Sequence, residues 1–104
     1  MVILKIDSDE AKAHIARTIL EALPDWFGIP ESTEEYIADS NGKPFFCAYD
    51  GEMPVGFLYL KETGRHTVEL AVMGVLKEYH RQGVGRKLFM EAKNEAKRLG
   101  YSFI

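Results

Sequence analysis

The sequence predicts one α+β domain over residues 1–104, in the three-layer α/β form, where helices flank a mixed, mostly antiparallel sheet. The length, with 46% hydrophobic and 28% charged residues, is typical of one small globular domain. Segments with strand-like alternation and segments with helical periodicity follow one another along the chain. No internal repeat, low-complexity tract or linker divides them.

The first third predicts a strand followed by two helices. Residues 2–6 are predicted as a short strand, after which Asp7 or Ser8 offers an N-cap and Glu10 is placed to reach back toward it. A helix follows over residues 8–23, and Pro24 ends it. Its apolar stripe is Ala11, Ile15, Ile19 and Leu23, with Lys12, Arg17 and Glu21 elsewhere on the helix. After an aromatic turn, Ser32 and Glu35 predict the capping box of a second helix that ends toward residue 39.

The middle of the chain predicts a hairpin and a long strand. Residues 45–50 and 55–62 are predicted as antiparallel strands joined by a turn at 51–54, and residues 63–65 form the next turn. The longest strand covers residues 66–76, where Gly74 suggests a bulge. Alternation places Val68, Leu70 and Val72 on one face of this strand and Glu69, Ala71 and Met73 on the other.

The last quarter predicts a helix and the start of a fifth strand. A helical apolar stripe begins at Val84 and ends before Gly100, which is expected in the position after the C-cap. Residues 101–104 begin an apolar segment that is predicted as a strand.

Charge and cysteine content exclude several classes of protein. Thirteen Lys and Arg against sixteen Asp and Glu give a net charge of −3, so no overall positive field attracts nucleic acid or anionic lipid. The single cysteine, Cys47, cannot form an intrachain disulfide, and no Cys/His cluster has zinc spacing. No apolar run approaches the ~18 residues of a membrane span. We therefore expect a cytoplasmic protein without a metal, a signal peptide, a membrane anchor or a nucleic-acid partner.

A glycine-containing turn, residues 81–87, joins a β-branched strand to a helix that opens immediately. Two glycines let the backbone approach an anion closely, and the first N–H groups of a helix have no internal partners. Arg81, Arg86 and Lys87 add full positive charges. The P-loop pattern fails because no Gly-Lys-Ser/Thr follows, and the dinucleotide pattern fails because Leu88 stands where its third glycine belongs.

Residues 80–85, His-Arg-Gln-Gly-Val-Gly, resemble the pyrophosphate loop Gln/Arg-x-x-Gly-x-Gly/Ala of the Gcn5-related N-acetyltransferase (GNAT) superfamily. Both final glycines match, whereas His80 stands in the place of Gln or Arg. The order of predicted elements also matches the family. The resemblance implies a GNAT-like acyl-CoA acyltransferase fold that is C-terminally shortened, with the chain ending at the start of the fifth strand.

The resemblance implies an enzyme, an N-acetyltransferase that moves an acetyl group from acetyl-CoA to a primary amine by direct attack. It makes Glu69 the general base and the Met73 backbone N–H the donor to the oxyanion. The cofactor-binding residues that it implies are Met73, Val75, Arg81, Gln82, Gly83, Val84, Gly85, Arg86 and Lys87. The tyrosine that serves the family as general acid has no counterpart up to Ile104.

Two alternatives stay open. One is a truncated acyl-CoA-binding or regulatory module without turnover. The other is a fragment whose missing strands are supplied by a second copy, in a homodimer that pairs at the exposed sheet edge, or are not supplied at all. The acceptor is a small-molecule or peptide amine, and the acidic balance favours a cationic one. An aromatic trio could line the acceptor site beside acidic residues, or it could cover the core: Trp26, Phe27 and Tyr36, with Glu31, Glu34 and Glu35.

Overall fold

A five-stranded sheet carries helices on both of its faces. The structure is a computed structural model that describes residues 1–103, so the predicted strand residue Ile104 lies outside the described residues. The strands are β1 (Val2–Ile6), β2 (Phe45–Asp50), β3 (Met53–Gly64), β4 (Thr67–Val75) and β5 (Ser102–Phe103). The helices are α1 (Asp9–Glu21), α2 (Pro30–Asp39) and α3 (Val84–Arg98). The predicted α+β class and mostly antiparallel sheet are confirmed.

The strands lie in the order β1-β2-β3-β4-β5. Strands β1 to β4 pair with one another in antiparallel orientation, and β5 runs parallel to β4. The β4–β5 register pairs Thr67 with Ser102 and Val68 with Phe103. Within residues 1–103, no strand pairs with this edge of β4 beyond Val68, so the second half of β4 is open on one side.

Two apolar cores sandwich the sheet. On one face α1 and α2 cover Phe45, Phe57 and Tyr59, whose rings stack with centroids 5.3 to 6.4 Å apart. On the other face α3 covers Phe46 and Leu58. Because successive side chains of a strand point to opposite faces, a strand covered on both sides must be apolar throughout. This requirement explains the continuous apolar run at the start of β2.

The N-terminus of α1 differs from its prediction in one respect. Ser8 caps the helix as expected, since its Oγ accepts a hydrogen bond from the Ala11 N–H at 3.2 Å. Lys12, however, is only 5% exposed, although the sequence placed it away from the buried stripe. Its Nζ donates to Asp9 Oδ1 at 3.2 Å and to the Lys43 carbonyl at 2.8 Å. These bonds compensate for burying the ammonium group and tie α1 to the turn before β2.

The predicted capping box of α2 is wrong. The helix begins at Pro30 and its N-cap is Ile29, which forms no side-chain capping bond. Proline at the first helical position has the required φ and lacks an N–H that would have no partner there. Thr33 Oγ1 bonds back to the Phe27 and Ile29 carbonyls and closes the first turn.

The alternation predicted for β4 is interrupted by a bulge at Ala71. Tyr59 pairs with Val72 but Leu60 pairs with Leu70, so Ala71 is an extra residue on β4. Val68 and Leu70 therefore pack on the α3 face, whereas Val72 packs on the α1 face. The prediction that these three residues share a face is wrong.

The same bulge separates Glu69 from Met73. Met73 lies opposite Leu58, a residue of the α3 core, whereas Glu69 lies opposite Lys61, one residue from Leu60 of that core. Their side chains consequently point to opposite faces of the sheet, and the expectation of a shared face is wrong.

Gly74 is not the bulge, because it pairs in register with Phe57. A Cβ at this position would lie 3.1 Å from Phe57 Cε1 and 3.2 Å from Ile19 Cγ2. Glycine therefore lets α1 lie close to the end of β4.

The interactions of Asp9 predict that the protein loses stability in acid. Hydrogen bonds from the Gly42 N–H at 2.9 Å and from Lys12 hold the pKa of the Asp9 carboxyl below its usual 3.8. Since the folded pKa is the lower one, this stabilisation is complete above the unfolded value and is lost as the pH falls through the folded value.

We expect Asp9→Asn to flatten the dependence of unfolding free energy on pH, measured by urea denaturation from about pH 5 to about pH 2. Glu10→Gln is the matched control, because it removes a carboxylate from the same helical turn and leaves both hydrogen bonds of Asp9 intact. An unchanged profile in Asp9→Asn would contradict this account.

Candidate functional site

A cavity of about 430 Å³ lies where β4 ends and α3 begins. Three parts of the chain line it. The end of α1 and the loop after it contribute Leu23, Trp26 and Phe27; β4 contributes Met73, Gly74 and Val75; the turn and the start of α3 contribute Tyr79, His80, Arg81, Gly83, Val84 and Gly85. The walls are largely apolar, and the polar groups concentrate at the start of α3 and along the β4 edge.

The start of α3 presents backbone donors without partners inside the helix. Gly83 is the N-cap, in the left-handed conformation at φ 78°, and forms no side-chain capping bond. The Lys87 N–H donates to the Gly83 carbonyl at 3.0 Å, so the N–H groups of Val84, Gly85 and Arg86 precede the first helical hydrogen bond. The first turn contains no acidic residue. Together with the helix dipole, these donors favour a bound phosphate group.

Arg81 enters this turn in a strained conformation. Its φ is 64°, and among residues 1–103 it is the only residue other than glycine with a positive φ. A non-glycine residue in this region costs on the order of 1 kcal/mol, and such strain concentrates at binding sites. The guanidinium side chain is exposed at the cavity.

The open edge of β4 supplies further backbone groups. The Leu76 N–H donates to the Val55 carbonyl of β3 at 2.9 Å. Because residues of an antiparallel ladder alternate in direction, Met73 and Val75 turn their N–H and C=O groups away from β3. His80 Nε2, 2.6 Å from the Val75 carbonyl oxygen, agrees with this orientation. An extended ligand could pair with such an edge as an added strand.

Most of the residues that the sequence predicted to bind a cofactor lie together in the structure. Met73, Val75, Arg81, Gly83, Val84 and Gly85 all line the cavity. Val84 is 2% exposed, so it offers its backbone only. Gly85 faces the Met73 side chain, and a Cβ at this position would lie at an ordinary van der Waals distance of 3.5 Å from Met73 Sδ.

Three nominated residues lie outside the cavity lining. Gln82 Nε2 donates to the Glu78 carbonyl at 3.0 Å, so this side chain braces the turn. Arg86 and Lys87 are exposed on the first turn of α3 and border a separate groove with Ile3. Their charges still contribute to the field at the start of α3.

Glu69 also lies outside this cavity, on the sheet face that carries α1 and α2. Lys61 Nζ lies 3.0 Å from its Oε1. Lys61 and Ala71 line a second cavity of about 340 Å³, whose other lining residues are Tyr36, Asp39, Lys43, Tyr59 and Val72. The candidate base therefore lies beside the second cavity, on the opposite face from the Met73 side chain.

The predicted aromatic trio is divided between the two cavities. Trp26 and Phe27 line the first and Tyr36 lines the second. The Trp26 ring packs edge-on against His80 at 5.3 Å, and Phe27 packs edge-on against Tyr36 at 6.0 Å. Glu34 is bound by both terminal nitrogens of Arg17, at 2.7 and 2.8 Å.

Sequence reasoning did not assign a site role to Tyr79, which lines the cavity. Its hydroxyl donates to Asp50 Oδ2 at 2.6 Å, across 29 residues of sequence. This hydrogen bond, together with desolvation and the Asp50 charge, raises the pKa of Tyr79. The pairing depends on the fold, so no local sequence signal could have revealed it.

The Cys47 thiol is poorly suited to nucleophilic catalysis. Burial raises the pKa of the Cys47 thiol to about 12, which disfavours a nucleophilic thiolate. No three His, Cys, Asp or Glu side chains within residues 1–103 are grouped so that they could hold a metal ion. None of the helices described in this range has both the length and the apolarity to cross a membrane.

Comparison with solved structures identifies the fold. The aminoglycoside 6′-N-acetyltransferase from Enterococcus faecium aligns with 97% of this chain at a TM-score of 0.76 and 20% identity. The IAA acetyltransferase from Bacillus cereus ATCC 14579 aligns with 97% at 0.72 and 27% identity. The PaiA N-acetyltransferase from Thermoplasma acidophilum, in complex with coenzyme A, aligns with 96% at 0.71 and 20% identity.

The aligned region covers 58%, 61% and 75% of those three chains, respectively. The chain thus spans less than two thirds of the length of the first two. A search of curated protein sequences found no match. The model of the acetyltransferase (GNAT) family matches residues 8–104. Because that match covers nearly the whole sequence, this chain belongs to the GNAT acetyltransferase family.

Proposed function

We propose that this protein transfers an acetyl group from acetyl-CoA to a primary amine by direct attack within a ternary complex. One observation carries the proposal: a single cavity joins the free N–H groups at the start of α3 to the open edge of β4. The first suits a pyrophosphate, and the second suits the two amides of a pantetheine arm. Coenzyme A contains a pyrophosphate that is joined directly to a pantetheine arm.

The proposed cofactor site divides into two parts. The N–H groups of Val84, Gly85 and Arg86 receive the pyrophosphate, and the Arg81 guanidinium adds a charged donor. Lys87 contributes through its field, and Gln82 contributes by bracing the turn. The pantetheine arm follows β4 past Val75 toward Met73. The coenzyme A bound to the Thermoplasma acidophilum protein supports this choice of ligand.

The proposed reaction uses a carboxylate on one face of the sheet and a backbone donor at its edge. Glu69 removes a proton from the ammonium group so that the nitrogen lone pair can attack the thioester carbon. The C–N bond forms and the Met73 N–H stabilises the resulting oxyanion. Its collapse breaks the C–S bond, the nitrogen loses its remaining extra proton to solvent, and the departing CoA thiolate takes up a proton from solvent. Since Lys61 already pairs with Glu69, the acceptor amine must displace or share this partner.

A calorimetric titration with acetyl-CoA, followed by an assay of free-thiol release with a panel of amines, tests the proposal. The panel contains lysine, a peptide N-terminus, a polyamine and an aminoglycoside. Saturable binding with amine-dependent thiol release is expected. Binding without release by any amine would favour the acyl-CoA-binding module instead, and no binding by the folded chain would overturn the proposed cofactor.

Substitution of Gly83 tests the phosphate site. A Cβ at Gly83 would have no heavy atom within 4 Å, but its φ of 78° strains any side chain. Gly83→Ala and Gly83→Glu should therefore lose similar stability, about 1 kcal/mol, in urea denaturation. Only Gly83→Glu should abolish acetyl-CoA binding, because its carboxylate repels the phosphates. Equal affinity of the two variants would contradict the assignment.

Substitution of Arg81 should separate stability from binding. Arg81→Gly relieves the left-handed strain, so the free energy of unfolding should rise by about 1 kcal/mol. Affinity for acetyl-CoA should fall about tenfold with loss of the charged donor. Arg65→Gly, which removes a charge from a turn outside the cavity, should leave the affinity unchanged. Reduced stability together with full affinity would argue against both roles of Arg81.

Substitution of Glu69 tests the general base. Glu69→Gln should lower kcat about a hundredfold with the amine that the panel identifies, while calorimetry shows unchanged affinity for acetyl-CoA. Glu52→Gln, in the β2–β3 turn, is the control for loss of one surface carboxylate. Wild-type turnover in Glu69→Gln would exclude this residue as the base.

A further inference from the structure

The His80 ring connects two walls of the first cavity. Its Nε2 lies 2.6 Å from the Val75 carbonyl oxygen, and its ring packs edge-on against Trp26 at a centroid distance of 5.3 Å. A carbonyl oxygen only accepts hydrogen bonds, so Nε2 carries the proton and donates. The ring is thus directed to the strand edge.

This hydrogen bond occupies one of the backbone acceptors on the open edge of β4. Val75 and Met73 both direct their N–H and C=O groups away from β3. With the Val75 carbonyl bound to His80, the edge still offers the Val75 N–H and both backbone groups of Met73. A ligand that pairs with this edge therefore meets a free N–H donor at Val75, where the carbonyl oxygen is already engaged by His80.

The contact matters most when a ligand covers the edge. In the open cavity, water can reach the Val75 carbonyl and satisfy it if the ring is removed. Beneath a bound arm that water is excluded, and an acceptor without a partner becomes costly. Loss of the His80 N–H should therefore weaken a ligand that covers Val75 more than a ligand that contacts only the start of α3.

We infer that His80 is a positioning residue: it satisfies the Val75 carbonyl beneath a bound pantetheine arm and fixes the point at which the arm leaves β4 for the N–H groups of α3. This inference rests on the proposed function, because it assumes a ligand with a pantetheine arm. The arm pairs with β4 from Met73 to the Val75 N–H, and beyond that point His80 ends the pairing.

Two ligands and two variants test the inference. Acetyl-CoA carries the pantetheine arm, whereas adenosine 3′,5′-bisphosphate lacks it. His80→Phe keeps an aromatic ring to face Trp26 but cannot donate a hydrogen bond, and His80→Gln provides an amide N–H that can. His14→Phe, at an exposed position of α1, is the matched control for loss of an imidazole.

In calorimetric titrations, His80→Phe should bind acetyl-CoA about tenfold more weakly than the wild type, with affinity for the bisphosphate unchanged. His80→Gln should restore acetyl-CoA affinity to within about threefold of the wild type. His14→Phe should match the wild type for both ligands, and thermal unfolding of each variant establishes that it is folded.

The outcomes separate the inference from the proposed function. Equal weakening of both ligands in His80→Phe would mean that His80 only shapes the turn, and unchanged or tighter acetyl-CoA binding would mean that the carbonyl needs no partner. Either result overturns the inference while acetyl-CoA binding by the wild type still supports the cofactor proposal. Failure of the wild-type chain to bind acetyl-CoA would overturn both.

Discussion

The extra residue in β4 determines how the two halves of this strand are used. Before Ala71, the side chains of Val68 and Leu70 point toward the α3 core. After Ala71, the side chains of Met73 and Val75 point to that same face. Because the bulge shifts the alternation of side chains by one residue, Gly74 faces α1 and Met73 faces Gly85 at the start of α3. The start of α3 can therefore approach the end of β4 closely, and the cavity forms at that contact.

Two glycines let helices pack closely against both faces of the sheet beside the cavity. Gly74 on β4 faces α1, and Gly56 on β3 faces α3, where a Cβ would lie 3.1 Å from Val84 Cγ1. Helices on both sides thus approach the backbone where the edge of β4 is open. This close packing holds the exposed backbone groups in place without help from a neighbouring strand, which is the arrangement that binding by strand addition requires.

Local patterns were sufficient for much of this architecture. The predicted bounds 2–6 and 45–50 are those of β1 and β2, since apolar runs and flanking turn residues lie next to each other in sequence. The glycine turn was also predictable from its local sequence. The bulge was not, because it depends on the register between β3 and β4, and burial of Lys12 depends on the Lys43 carbonyl, 31 residues away.

The indole of Trp26 gives the protein an internal optical probe. It is the only tryptophan in the sequence, and it lines the first cavity with its ring against His80. Indole emission, excited at a wavelength that the five tyrosines do not absorb, therefore originates at the cavity. The imidazole beside the indole is a polar neighbour whose displacement alters the environment of the excited state. Occupancy of the cavity can thus be followed in the unlabelled protein, at concentrations well below those that calorimetry requires.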